Sequence, residues 1–366
     1  MTHSANGAYQ SQGHRRASRA KRWILVVACI AVLGAIAYPV LNYFDVFSDK
    51  GESVSFGQSA AGGPAGGGGQ AGGNNGAPAD SKTQMPTGPQ ADFKVANTVE
   101  DGTKIAVTTY TGKKSGFTGK VWVWAPKQYN DPKYKNSGFP VLVALPGGNG
   151  YPMNYWMGTD LKLESSIAQW SQEGKSQPFI VVMPVLNPDN KYYYDGSDIP
   201  NQPKMGTWLS EDVPDLVREN FRTLKSRDGW AFMGSSSGGF SGLKAVLQKP
   251  DKFKAVIASG PDIVPDSPLW AGHDQEKAAN NPELLAQKLI DTKGPEVYLA
   301  FQYGTKETSV IPKVDKFIAT YGKGPIHTHL QVIQGGEHNA KTYVKGMGDS
   351  SMKWISDHME GPTPSS

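Results

Sequence analysis

The chain has 366 residues, 38% of them apolar, enough to build one core of roughly 250 residues or two smaller ones, which excludes a short peptide or a wholly disordered tail. The formal charge of +4 arises from Arg15, Arg16, Arg19, Lys21 and Arg22, which all precede the first acid, Asp45; without them the 37 cations and 33 acids nearly balance, so no basic field points to nucleic acid. The single cysteine, Cys29, excludes an intrachain disulfide framework and a Cys-based zinc site.

Residues 1–22 form a basic tail ahead of an uncharged run at 23–41, which as a helix spans about 28 Å, close to the hydrocarbon thickness of a bilayer. With cations on its N-terminal side only, the run is predicted to be a transmembrane anchor that leaves the tail in the cytoplasm and the remainder outside. A cleavable signal peptide is the alternative, because Ala35-Ile36-Ala37 has the small-x-small form of a cleavage site. Residues 42–92, with Gly66-Gly67-Gly68-Gly69 at their centre, offer little to bury and read as a disordered linker. No Gly-Lys-Ser/Thr directly follows these glycines and no strand signal precedes them, so a phosphate-cradling loop is set aside.

From residue 93 to 366 the pattern changes to apolar runs bounded by Gly and Pro. Strands are expected at 103–110 and 120–124, then at 140–145, 179–183, 230–233, 254–258, 296–302 and 328–333. The first two read as an edge hairpin. The last six are continuous apolar runs, as in the buried strands of a parallel sheet. Between them, Leu209, Val213, Leu216, Val217 and Phe221 make one helical stripe. The fold class that follows is α/β, a mostly parallel eight-stranded sheet with helices on both faces and ligands beyond the carboxyl ends of the strands.

After the strand signal at 230–233 comes Gly234-Ser235-Ser236-Ser237-Gly238-Gly239 and a helical segment. Only Ser236 has glycine two residues before it and two after, the G-x-S-x-G register of a strand–turn–helix elbow that exposes a nucleophilic hydroxyl. A serine near neutral pH needs a base to take its proton and an acid to orient that base. Of the later histidines, His338 alone lies in a loop directly after the last strand signal. His327 and His329 share a strand face, but no third metal ligand is evident, and His358 belongs to a terminal helix. Glu307 lies just past the seventh strand signal and is the expected acid, with Asp262 after the sixth in reserve. An oxyanion needs two backbone donors, for which Ser237 and Gly148 are the candidates; Pro146 in the same loop has no N–H. The aromatics Trp156, Tyr192, Tyr193, Tyr194 and Trp208 are candidates for lining an acyl or sugar site.

Phe139-Pro140-Val141-Leu142-Val143 leading to Gly147-Gly148, Ile180-Val181-Val182-Met183-Pro184-Val185, Trp208 with Asp212-Val213-Pro214, the 230–239 segment and Gly336-Glu337-His338-Asn339-Ala340 together carry a resemblance. Over residues 93 to 359 the chain resembles α/β-hydrolases of the esterase family that includes esterase D and the secreted mycolyltransferases. The resemblance places Ser236, Glu307 and His338 on that family's triad and Gly148 and Ser237 on its oxyanion hole. It departs in the oxyanion loop, around which mycolyltransferases carry an acid and an arginine that contact the sugar whereas this chain has Pro146 and Asn149, and at Pro146-Gly147, where esterase D relatives have His-Gly. The expectation is a membrane-tethered, extracytoplasmic serine esterase that forms an acyl-enzyme on an ester or acyl-lipid substrate without metal or organic cofactor. An acyltransferase onto a cell-envelope sugar and a catalytically silent surface-binding module are the alternatives.

Overall fold

The computed structural model describes residues 51–56 and 81–365. The tail 1–22 and the anchor or signal segment 23–41 lie outside the described residues, as do 42–50 and 57–80 of the linker. Among the described residues no helix is long and apolar enough to cross a membrane.

The main sheet has ten strands rather than eight, in the order β1 (Ser53–Val54), β3 (Phe93–Thr98), β4 (Lys104–Thr111), β5 (Thr118–Trp124), β7 (Ile180–Pro184), β6 (Val141–Leu145), β9 (Trp230–Ser235), β10 (Ala255–Ser259), β11 (Val297–Gly304) and β12 (Ile326–Ile333). From β7 through β12 every neighbouring pair is parallel, and from β1 to β7 every pair is antiparallel. All eight expected strands are present. The added pair, β1 and β3, extends the antiparallel edge. β3 escapes pattern reading because its pairing with β4 shifts register between Val95 and Asn97, which breaks the period-two alternation.

The same edge corrects part of the linker expectation. Residues 51–56 and 81–92 are held against the domain: Phe56 packs on Phe93 and Phe221 at centroid distances of 5.6 and 4.9 Å, and Ala91 N–H donates to Asn220 Oδ1 at 2.7 Å. β2 (Thr83–Gln84) pairs with β8 (Thr223–Leu224) in a small second sheet. Phe56 docks where two aromatic rings already form a wall, and the pairing of Ser53 and Val54 with Lys94 and Phe93 holds the same segment through its backbone.

β6, β7 and β10 are buried at every position. Successive strand residues face opposite sides, so full burial means that both sheet faces are covered. The helices include α1 (Leu163–Gln172), α2 (Val213–Asn220), α3 (Ser237–Gln248), α4 (Asp274–Ala279), α5 (Pro282–Asp291), α6 (Ile311–Tyr321), α7 (Ala340–Val344) and α8 (Ser351–Asp357), and all of these but α4 contribute buried side chains. The predicted stripe Leu209 to Phe221 is buried throughout. Its helix is not uniform: a turn at Met205–Thr207 and a π-helical segment at Trp208–Asp212 precede α2, and the Val213 N–H reaches back to the Trp208 carbonyl. Pro214 sits at the start of α2 without an N–H to give, so the shift to wider spacing falls where the regular ladder would be interrupted in any case.

Candidate active site

β9 ends at Ser235, and α3 begins at Ser237. Ser236 between them adopts φ 53° and ψ −124°, a left-handed backbone uncommon for a residue with a side chain. Its N–H donates to the Ser259 carbonyl at 2.8 Å, which ties the elbow to the end of β10. The flanking glycines are steric requirements. A Cβ on Gly234 would lie 2.4 Å from the Gly238 carbonyl carbon, and one on Gly238 would lie 2.3 Å from the Pro146 oxygen.

Glu307 follows β11 by three residues and its side chain is only 1% exposed. Oε1 accepts the Gly304 N–H at 2.6 Å; Oε2 accepts the Tyr343 hydroxyl at 2.7 Å and meets His338 Nδ1 at 2.5 Å. The Tyr343 oxygen also lies 2.9 Å from His338 Nδ1. Burial pushes the Glu307 carboxyl up, but hydrogen bonds from His338, Gly304 and Tyr343 outweigh it and hold the group below the ordinary glutamate value. The hydrogen bond to Glu307 in turn lifts the His338 imidazole above the ordinary histidine value against the effect of burial. Both directions describe one carboxylate stabilising one imidazolium.

Gly260, just after β10, closes this group from the other side. With φ +52°, it sits where a Cβ would be 2.2 Å from the Tyr343 hydroxyl, 2.6 Å from Glu307 Oε2 and 2.8 Å from His338 Nδ1. Sequence reasoning missed both Gly260 and Tyr343. No motif spacing marks either, because their contacts arise from the convergence of β10, β11 and α7.

Ser236, Glu307 and His338 line one cleft of about 360 Å³, together with Asp262, Lys306 and Lys313. Among the described residues the Ser236 hydroxyl makes no hydrogen bond. In substrate-free sites the contact between a nucleophile and its base is often long and tightens when substrate binds. Asp262, the reserve acid, lines the same cleft but pairs with Lys313 at 3.4 Å and not with His338.

Gly148 has φ +63°, and nothing lies within 4 Å of where its Cβ would be, so its loop is open there. Ser237 Oγ donates to the Gly148 carbonyl at 2.7 Å, joining this loop to the start of α3. The Gly147 N–H is taken up by the Tyr155 hydroxyl at 2.6 Å. Among the described residues the Gly148 and Ser237 N–H groups donate to nothing, as two oxyanion donors require.

The remaining candidates lie elsewhere. His327 and His358 stack on Tyr298 at 4.8 and 4.2 Å, and His329 meets Ser350 Oγ at 2.9 Å. Among the described residues no group of three potential ligands could hold a metal. Trp156 and Trp208 are buried and donate to the Leu145 and Val185 carbonyls at 2.9 and 3.1 Å, and Tyr194 is buried as well, so these three belong to the interior. Tyr192 and Tyr193 remain exposed.

The arrangement is suited to acyl transfer. A carboxylate holds His338 by Nδ1, which leaves Nε2 as the atom that can take a serine proton.

The family model described as "Putative esterase" matches residues 117–357. An uncharacterized protein of Corynebacterium glutamicum is 24% identical over 281 residues, 70% of this chain; the chain spans 61% of the length of that relative. Among solved structures, a ferulic acid esterase superposes with a TM-score of 0.56 at 17% identity, covering 72% of this chain and 100% of its own. An S-formylglutathione hydrolase from Agrobacterium tumefaciens gives 0.54 at 17% identity, with 73% and 99% covered. At these identities the likeness is one of fold, the α/β-hydrolase fold.

Proposed function

The chain belongs to the esterase family matched over residues 117–357, and from that premise we propose that it is a serine hydrolase of carboxylic esters, with Ser236 as nucleophile, His338 as base, Glu307 as the orienting acid and the Gly148 and Ser237 N–H groups as the oxyanion hole. The observation that carries this reading is the buried Glu307 carboxylate on His338 Nδ1, in the cleft that Ser236 also lines.

His338 Nε2 takes the Ser236 proton as Oγ bonds to the ester carbonyl carbon, and the carbonyl oxygen becomes an oxyanion held by the two N–H groups. The alkoxide then leaves with the proton from Nε2, and the acyl group stays on Oγ. Water attacks that acyl-enzyme, giving its proton to Nε2. The acyl–Oγ bond breaks, the carboxylic acid departs, and Ser236 recovers its proton from His338.

A second reading puts the hydroxyl of a sugar in the place of water. The cleft wall of Lys306, Thr308, Ser309, Lys313 and Glu337 favours it, because these side chains can hydrogen-bond a polar acceptor. The proposal extends to location: residues 23–41 tether the domain 93–366 outside the cytoplasmic membrane, unless that segment is cleaved and the domain released. Turnover of p-nitrophenyl esters of graded chain length, with and without a sugar acceptor, tests the chemistry. Ester hydrolysis that the acceptor leaves unchanged supports the hydrolase, acyl-sugar formation supports the transferase, and no turnover of any ester leaves a silent binding module.

A further inference from the structure

Tyr155 occupies a place in this site that neither the G-x-S-x-G motif nor the triad explains. It opens a short 3₁₀ turn, Tyr155–Met157, just after the loop of Gly147 and Gly148. Both of its neighbours are fixed. Asn154 is fully buried and donates through Nδ2 to the Ala144 and Pro184 carbonyls, at the ends of β6 and β7, at 2.8 and 2.9 Å. Trp156 is fully buried too, and its indole N–H donates to the Leu145 carbonyl. The Tyr155 ring is therefore held on both sides by groups tied to strand ends.

Its hydroxyl makes two contacts. It accepts the Gly147 N–H at 2.6 Å, and it is hydrogen-bonded to Oγ of Ser235, the residue immediately before Ser236. Burial pushes the phenol up, so the hydroxyl stays protonated. On the far side of the Gly147–Gly148 peptide, the Gly148 carbonyl accepts the Ser237 hydroxyl. These two bonds bracket the peptide that carries the Gly148 N–H. Two successive glycines would otherwise leave that peptide free to rotate.

We propose that Tyr155 is a positioning residue, which locks the oxyanion loop to the nucleophile elbow so that the Gly148 N–H and the Ser236 hydroxyl keep one relative placement. The inference rests on the reading of Ser236 as nucleophile. It adds that transition-state stabilisation depends on a phenol that does not touch the substrate.

The test compares Tyr155→Phe, Ser235→Ala, the double variant and Ser236→Ala, each normalised to folded protein. It measures kcat and KM on p-nitrophenyl acetate and the inhibition constant of an alkyl boronic acid, whose serine adduct is tetrahedral. Loss of a single oxyanion donor costs about 100- to 1,000-fold, so a donor left in place but unlocked should lower kcat by about 10- to 100-fold for Tyr155→Phe, with KM within about twofold. Boronate affinity should weaken with kcat/KM, which a loss of folded protein would not produce. Ser235→Ala should lower kcat by a smaller factor, and the double variant should be no worse than Tyr155→Phe. Unchanged kcat in Tyr155→Phe, or a loss confined to KM, overturns the inference. If that variant does not fold, unchanged kcat in Ser235→Ala overturns it instead. Turnover retained by Ser236→Ala refutes the nucleophile assignment itself, whereas an inactive Ser236→Ala beside a normal Tyr155→Phe refutes only the positioning role.

Discussion

Glu307→Gln changes one atom of a buried group and leaves the volume the same. In the native site Oε1 faces a donor, the Gly304 N–H at 2.6 Å, and Oε2 faces the Tyr343 hydroxyl and His338 Nδ1 at 2.7 and 2.5 Å. A carboxylate accepts on both oxygens, whereas an amide must turn its NH₂ toward one side. Turned toward His338, it forces Nδ1 to accept, which puts the imidazole proton on Nε2, where no serine proton can then be taken. Turned toward Gly304, it sets two donors against each other in a buried site, and the carbonyl facing His338 carries no charge to stabilise the imidazolium. Either way kcat should fall by about 100- to 1,000-fold, about 3–4 kcal/mol of transition-state stabilisation, and by less than in His338→Ala. The pH profile gives the sign. The Glu307 hydrogen bond raises the His338 pKa above its ordinary value, so wild-type activity should be lost as pH falls through that raised value, and the acid limb of Glu307→Gln should move to lower pH. Steady-state turnover across neutral pH, with thermal melting to confirm folding, measures both. Wild-type turnover and an unmoved acid limb in Glu307→Gln, with activity lost instead in Asp262→Asn, would refute the assignment of the acid.

Gly260→Ala introduces a Cβ 2.2 Å from the Tyr343 hydroxyl at a left-handed position; a displacement of about 1 Å in the dyad should lower kcat by about 100-fold, and steady-state kinetics on the folded variant measures it. Lys244 is fully buried and donates to the Asp195 and Gly196 carbonyls and to Ser197 Oγ at 2.9, 2.5 and 2.5 Å, so Lys244→Met should destabilise the domain by about 1–3 kcal/mol in urea unfolding. Burial pushes this lysine down to about 7, so between that pH and its ordinary value the unfolded chain binds the extra proton; native stability should rise with pH across this window in the wild type but not in Lys244→Met. Protease added to intact cells with an accessible surface should release the folded domain if residues 23–41 anchor it outside, and full protection would contradict that orientation.

The parts of the fold that can be read from sequence are those where one local pattern settles the structure. β6, β7 and β10 are apolar at successive positions because both sheet faces are covered, and the elbow declares itself through glycines that the crossing of Pro146 and Gly238 requires. Glu307 and Ser236 lie just past strand ends, so chain order alone brings them into view. What stays hidden depends on distant partners. Tyr343 and Tyr155 look like ordinary core aromatics until β10, β11 and α7, or the loop after β6 and the end of β9, are brought together. Phe56 and β3 are hidden for a different reason: a lone ring and a bulged strand carry no period, and only the surface they dock on reveals them.

Covalent labelling tests whether Ser236 is the nucleophile. A fluorophosphonate probe should modify the wild-type domain once, on the peptide containing Ser236, and abolish its esterase activity. Ser236→Ala should take up no probe while its thermal transition stays nearly unchanged, because only one hydroxyl is removed. Equal labelling of Ser236→Ala and wild type would place the nucleophile on another residue.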